Sequence, residues 1–63
     1  MKYQDVLNLL KEDGWFVIDQ HGSHVQLKHP IKKGRVTLPK HGRKDIPIKT
    51  LKSIATQSGL KLP

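Results

Sequence analysis

The chain contains no cysteine. That removes disulfide staples, thiolate metal ligands and thiol nucleophiles together. It is also compatible with a reducing compartment. Aromatic residues are scarce: Tyr3, Trp15 and Phe16 are the three present. Acids are few, 5 against 12 Lys and Arg, for a formal charge of +7. No apolar run approaches the roughly 20 residues of a membrane-spanning helix. The opening Met1-Lys2-Tyr3-Gln4-Asp5 has no apolar signal core, so a cytoplasmic location is expected. Gly-x-x-x-x-Gly-Lys and Gly-x-Gly-x-x-Gly phosphate loops are missing. The carboxylates do not recur at a spacing that suggests a two-metal site. At 63 residues there is room for one domain, spanning 1–63. A domain this small buries only about 60% of its unfolded-chain surface, so its stability is marginal.

What the chain does have is concentrated positive charge. Lys28, Lys32, Lys33, Arg35, Lys40, Arg43 and Lys44 follow one another with no acid between them. Asp5, Glu12, Asp13 and Asp19 all come earlier, and Asp45 follows. A one-sided segment of this kind is the footprint of a polyanion site. Its bland alternative is a solvated basic surface. The cluster does not fall on one amphipathic helix, which argues against a membrane-surface role.

Apolar spacing predicts a helix over residues 3–13, with Tyr3, Val6, Leu7 and Leu10 as its buried stripe. Gly14 is placed to stop it, with Trp15 as an apolar contact back onto the last turn. Trp15-Phe16-Val17-Ile18 is aromatic and β-branched and reads as a strand of ambiguous facing. Trp15 itself reads as core. His21-Gly22-Ser23 is a turn, with Gly22 free to take a positive φ. From His24 the pattern alternates, Val25 and Leu27 to one side, His24, Gln26 and Lys28 to the other. Pro30 ends that strand. Ile31-Lys32-Lys33-Gly34 makes a basic-tipped turn, and Arg35 to Leu38 a third strand closed by Pro39. Lys40-His41-Gly42-Arg43-Lys44 is a polar loop, read either as a mobile connector or as a phosphate clamp. Pro47 suits the first turn of a second helix whose apolar stripe is Ile48, Leu51, Ile54 and Ala55. Ser58-Gly59-Leu60 repeats the glycine stop. The fold class is therefore α+β, in the order α-β-β-β-α: a three-stranded antiparallel sheet with two helices on one face.

If Val25, Leu27, Val36 and Leu38 pack against helices, the opposite sheet face shows His24, Gln26, Lys28, Arg35 and Thr37. Transesterification within RNA asks little more than such a face. The substrate brings its own 2′-hydroxyl nucleophile. The protein must remove one proton, deliver another to the leaving 5′-oxygen, and stabilise charge on the phosphate. Histidine suits the proton transfers, and Lys or Arg supply the electrostatic part. His24 beside Lys28 and Arg35 meets these needs without a metal. Ser23 either bonds a phosphate oxygen or shapes the turn. From pattern alone, a surface histidine at a strand start is the plainer reading of His24. A zinc site from His21 and His41 lacks further ligands. His24 and His29 point to opposite sides of a regular strand.

The whole chain resembles the HicA family of toxins, related to the YcfA-like proteins. The resemblance is carried by Leu9-Leu10-Lys11-Glu12-Asp13-Gly14-Trp15, Gly22-Ser23-His24, Lys28-His29-Pro30, Gly34-Arg35-Val36-Thr37 and Ile46-Pro47 through Thr50-Leu51-Lys52-Ser53-Ile54 to Ser58-Gly59-Leu60. It implies a small fold like the double-stranded-RNA-binding domain. It further implies a cofactor-free mRNA interferase and a HicB-type antitoxin that blocks it. The family's catalytic histidine is that of the Gly-Ser/Thr-His motif, here His24. The residues expected to meet RNA or its phosphates are Ser23, Gln26, Lys28, Lys32, Lys33, Arg35 and Thr37, with Lys28 stabilising charge. Where relatives carry Ser or Thr before the first helix, this chain has Lys2-Tyr3-Gln4. A non-catalytic RNA-binding module and a protein-binding adaptor are the competing functional classes.

Overall fold

The computed structural model of the protein describes residues 1–62. The order is α1 (Tyr3–Asp13), β1 (Phe16–His21), β2 (His24–Lys28), β3 (Val36–Pro39) and α2 (Ile48–Ser58). Helix α1 starts without a hydroxyl cap. The Lys2 backbone N–H donates to the Asp5 carboxylate at 3.2 Å, and the Lys2 carbonyl accepts from Val6 N–H at 3.2 Å. An acid in the first turn thus satisfies one of the donors a Ser or Thr would leave to its own partners. At the other end Gly14 has φ +109°. Its N–H donates to Lys11 O at 3.0 Å, and Trp15 N–H donates to Leu10 O at 2.9 Å. These two bonds form the Schellman stop that the Gly14-Trp15 pair suggests.

The sheet is antiparallel, in the order β1-β2-β3. Gly22, with φ +57°, takes the first central position of the β1–β2 turn, where hairpins favour glycine. The turn sets His21 opposite His24, Gln20 opposite Val25 and Asp19 opposite Gln26. A bulge at Ile18 then shifts the register, so that Val17 faces Leu27 and Phe16 faces Lys28. β3 runs Val36–Pro39 rather than Arg35 to Leu38. Pairing stops at Leu27–Val36 because the chain leaves β2 after Lys28 to bury His29. Pro39 is the last residue of the strand, opposite His24, and the next N–H, of Lys40, donates to Ser23 O at 2.6 Å.

One core unites the elements. Val6, Leu7 and Leu10 come from α1, Val25 and Leu27 from β2, Val36 and Leu38 from β3, and Leu51 and Ile54 from α2. Trp15, only 2% exposed, seals the α1–β1 joint. The expected stripe of α2 needs one correction: Ile48 is 68% exposed, and Ile46 is buried in its place. The Ile46 N–H donates to Met1 O at 2.8 Å, and Lys2 bridges to Asp45. These ties hold the segment before α2 against the start of the chain and bring Ile46 inward. Pro47 is correspondingly the cap rather than part of the first turn, and its carbonyl accepts from Leu51 N–H at 3.0 Å. The helices pack mainly on β3. β1 is left at the uncovered edge, with Phe16, Val17 and Ile18 all partly open to solvent.

A side chain at Gly14 would place its Cβ 2.8 Å from His29 Nε2, on backbone of the wrong hand. Gly14→Ala is expected to cost about 1–3 kcal/mol. Gly22→Ala meets no neighbour within 4 Å and should cost less. Urea denaturation of both variants checks the ranking; equal midpoints would contradict it.

Candidate functional site

The sheet face away from the helices is polar and donor-rich. Along β2, His24 and Lys28 are exposed and Gln26 half-buried, while Val25 and Leu27 between them are core. On β3, Thr37 lies opposite Gln26. Its hydroxyl donates to Gln26 Oε1 at 3.0 Å, which fixes the amide and leaves the Gln26 NH₂ group directed to other acceptors. The Thr37 backbone N–H donates to Gln57 Oε1 of α2 at 3.0 Å, so the outer edge of β3 is partly satisfied. From β1, Asp19 and His21 join the same face in register with Gln26 and His24. His21 Nε2 lies 2.8 Å from Asp19 Oδ2. The Gln20 N–H donates to Asp19 Oδ1 at 2.8 Å. That bond, then the His21 charge, holds the Asp19 carboxyl below its ordinary range, and Arg35 acts in the same direction.

The residues singled out in the sequence divide into two groups. His24, Gln26, Lys28 and Thr37 sit together on strands β2 and β3 of this face. Arg35 is exposed just before β3, close enough to Asp19 to bear on its charge. Ser23 is exposed in the turn, and its carbonyl is engaged by Lys40 N–H. Lys33 is exposed in the loop between β2 and β3. Lys32 is committed elsewhere: its ammonium donates to Asp13 Oδ2 at 2.6 Å and to Ser58 O at 3.0 Å. Lys40 lies over the Tyr3 ring, 5.8 Å from its centroid. The Lys40–Lys44 loop is tied at its base, where Lys2 Nζ donates to Arg43 O at 2.9 Å and to Asp45 Oδ1 at 3.1 Å. Among the described residues, no three His, Asp or Glu side chains gather as a metal site.

A family model for the HicA toxin of bacterial toxin–antitoxin systems matches residues 3–60. The chain belongs to the HicA toxin family. The match runs from the first residue of α1 to beyond the Gly59 stop of α2, so it takes in every element. No curated protein matches. Membership of a toxin–antitoxin family implies an antitoxin as partner. Among the described residues, no helix is long and apolar enough to cross a membrane.

The residue that pattern reasoning missed in this HicA family member is His29. Its side chain is only 8% exposed. Nδ1 accepts N–H bonds from Ile31 and Lys32, both at 3.0 Å, so the proton resides on Nε2 and is donated to Asp13 O at 2.6 Å. The ring also meets Trp15 edge-on, with centroids 5.2 Å apart. Simple alternation gave His29 a side of the strand. Only the following Pro30 hinted that the chain bends there. His29 is thus a fully bonded structural group, and the exposed imidazoles are those of His21, His24 and His41.

Lys32 and Asp13 form the charged part of this lock. The hydrogen bond from Lys32 holds the Asp13 carboxyl below its ordinary value of 3.8 against some opposing burial, helped by Trp15 Nε1–H at 3.1 Å. A depressed folded-state value means stability that is present above the unfolded value and lost as pH falls through the folded one. Asp13→Asn is therefore expected to destabilise at neutral pH and to flatten the loss of stability below about pH 4. Chemical denaturation from pH 7 to pH 2 checks this. A variant whose acid limb parallels that of the wild type would contradict it.

Proposed function

We propose that this member of the HicA toxin family is a metal-independent endoribonuclease that cleaves mRNA, with His24 as general acid/base. The observation that carries the reading is a solvent-exposed imidazole at the start of β2, on a sheet face that also bears Lys28, Gln26, Thr37 and nearby Arg35. The +7 charge of the chain attracts a polyanion. Lys28 and Arg35 offset the charge that builds on the phosphate oxygens. The Gln26 amide and the Ser23 hydroxyl offer donors to the sugar–phosphate backbone. Lys33 extends the positive surface beyond β2. Lys32 contributes to the field but is held by Asp13 and the end of α2, so it is not a mobile phosphate ligand. His24 takes the 2′-hydroxyl proton, the 2′-oxygen attacks phosphorus, and the 5′-oxygen leaves with a proton. A HicB-type antitoxin would silence the toxin by covering this open face. An acidic partner surface is the natural complement of its lysines and arginines.

His24→Ala is expected to lower cleavage of a mixed-sequence RNA by about 10²–10⁴-fold while RNA affinity is retained. Chelator should leave the wild-type rate unchanged. Full activity in His24→Ala, or inhibition by chelator, would overturn the mechanism; RNA binding with no fragments from the wild type would mark a non-catalytic binding module. Lys28→Gln and Arg35→Gln should each reduce the slope of log affinity against log salt by about 0.7 for a single strand. Lys32→Met should leave that slope nearly unchanged. Fluorescence anisotropy across a salt series measures all three, and a slope that changes for Lys32→Met alone would reverse the assignment.

A further inference from the structure

A single imidazole cannot hold both ends of a transesterification at once. One group must be unprotonated to receive the 2′-hydroxyl proton, and another must carry a proton for the leaving 5′-oxygen. The hairpin places a second imidazole beside the first. His21 and His24 are directly opposed cross-strand partners at the closed end of the β1–β2 ladder. Such partners have Cβ atoms about 4.5–5.5 Å apart and side chains on one face.

Two features show that this end is built rather than incidental. Trp15 is buried, so strict alternation along β1 would send Val17, Asp19 and His21 to the core side as well. The extra residue at Ile18 inverts the phase and delivers Asp19 and His21 to the open face. The second feature is a chain of fixed contacts. Gln20 N–H holds Asp19 Oδ1, Asp19 Oδ2 holds His21 Nε2, and Gln20 Nε2 donates to Gly22 O at 3.1 Å across the turn. His21 Nδ1 is left for a substrate on a side chain that is 78% exposed.

We propose that His21 is the second proton-transfer group of the reaction, acting as general acid, with Asp19 as its positioning residue. The inference rests on the nuclease reading above. The charged groups around the pair sort the roles. Asp19 Oδ2 holds His21 Nε2 at 2.8 Å, which fixes the ring and leaves Nδ1 as its working nitrogen. Arg35 tempers the Asp19 anion, Lys28 stands at the other end of β2 opposite Phe16, and the Lys40 ammonium lies over Tyr3. His24 removes the 2′-hydroxyl proton, the O2′–P bond forms, the P–O5′ bond breaks, and His21 protonates the departing 5′-oxygen. The products are a 2′,3′-cyclic phosphate and a 5′-hydroxyl. Each imidazole ends in the other's starting state and is reset by water.

The test separates acid from base by changing the leaving group. Cleavage sites are first mapped on a mixed-sequence RNA with the wild-type protein. An oligonucleotide is then made with sulfur in place of the bridging 5′-oxygen at one mapped site. A thiolate leaves without a proton. His21→Ala and His21→Gln are expected to slow cleavage of the oxygen substrate by about 10²–10⁴-fold and to cut the sulfur substrate at close to the wild-type rate. His24→Ala should be slow on both. Asp19→Asn should slow the oxygen substrate and spare the sulfur substrate, because its loss frees the His21 ring that it orients; a purely structural role would slow both alike. Unimpaired cutting of the oxygen substrate by both His21 variants overturns the inference while leaving His24 and the nuclease reading intact. Equal slowing on both substrates also overturns it. A wild-type protein that cuts no RNA removes the nuclease reading and this inference with it. Amide spectra of each variant verify that the fold is retained.

Discussion

The imidazole of His29 is the contact on which the rest of the molecule depends. It is satisfied on both nitrogens, by Asp13 O on one side and by the N–H groups of Ile31 and Lys32 on the other. Its edge meets Trp15, and Lys32 continues the tie to Asp13 and to the Ser58 carbonyl at the end of α2. One short turn therefore joins the C-terminal ends of both helices to the end of β2. A cation at two helix C-termini is also favoured by their dipoles. In a domain with so little buried surface and no covalent staple, such polar locks matter more than they would beneath a large core.

The lock and the proposed chemistry lie at opposite ends of the same strand. Five residues separate His29 from His24, a distance of about 16 Å along an extended chain. One face of β2 carries Val25 and Leu27 into the core, and the other carries His24, Gln26 and Lys28 outward. Strand pairing, rather than loop geometry, thus sets the spacing of the open-face groups. A site placed on paired strands is held more tightly than one on a loop. It also leaves an extended polar surface, suited to a polymer, rather than a closed pocket suited to a small molecule.

Much of this is legible in the sequence. The 3.6-residue stripe and the Gly14-Trp15 stop located α1, and alternation from His24 to Lys28 sorted core from surface. Both signals are local and repeat over several residues. What escaped depended on partners distant in sequence. Ile46 displaced Ile48 from the core because a backbone bond to Met1 draws it inward. Lys32 looked like one more cation in a basic run, yet Asp13 and Ser58 had already claimed it. The ambiguous facing of Trp15 to Ile18 had a physical cause: the strand contains a bulge, so no single alternation describes it. The family match over residues 3–60 agrees with the resemblance read from the motifs, including Gly22-Ser23-His24.

The claim at the centre is that one sheet face folds the protein and the other meets RNA. Amide and imidazole chemical shifts during titration with an RNA analogue lacking 2′-hydroxyls test it most directly, since that ligand has no nucleophile and stays intact. Shifts concentrated at His21, His24, Gln26, Lys28 and Thr37, with the exposed sides of α1 and α2 unmoved, are the expected result. Shifts centred on the helices, with the His24 ring unaffected, would contradict it.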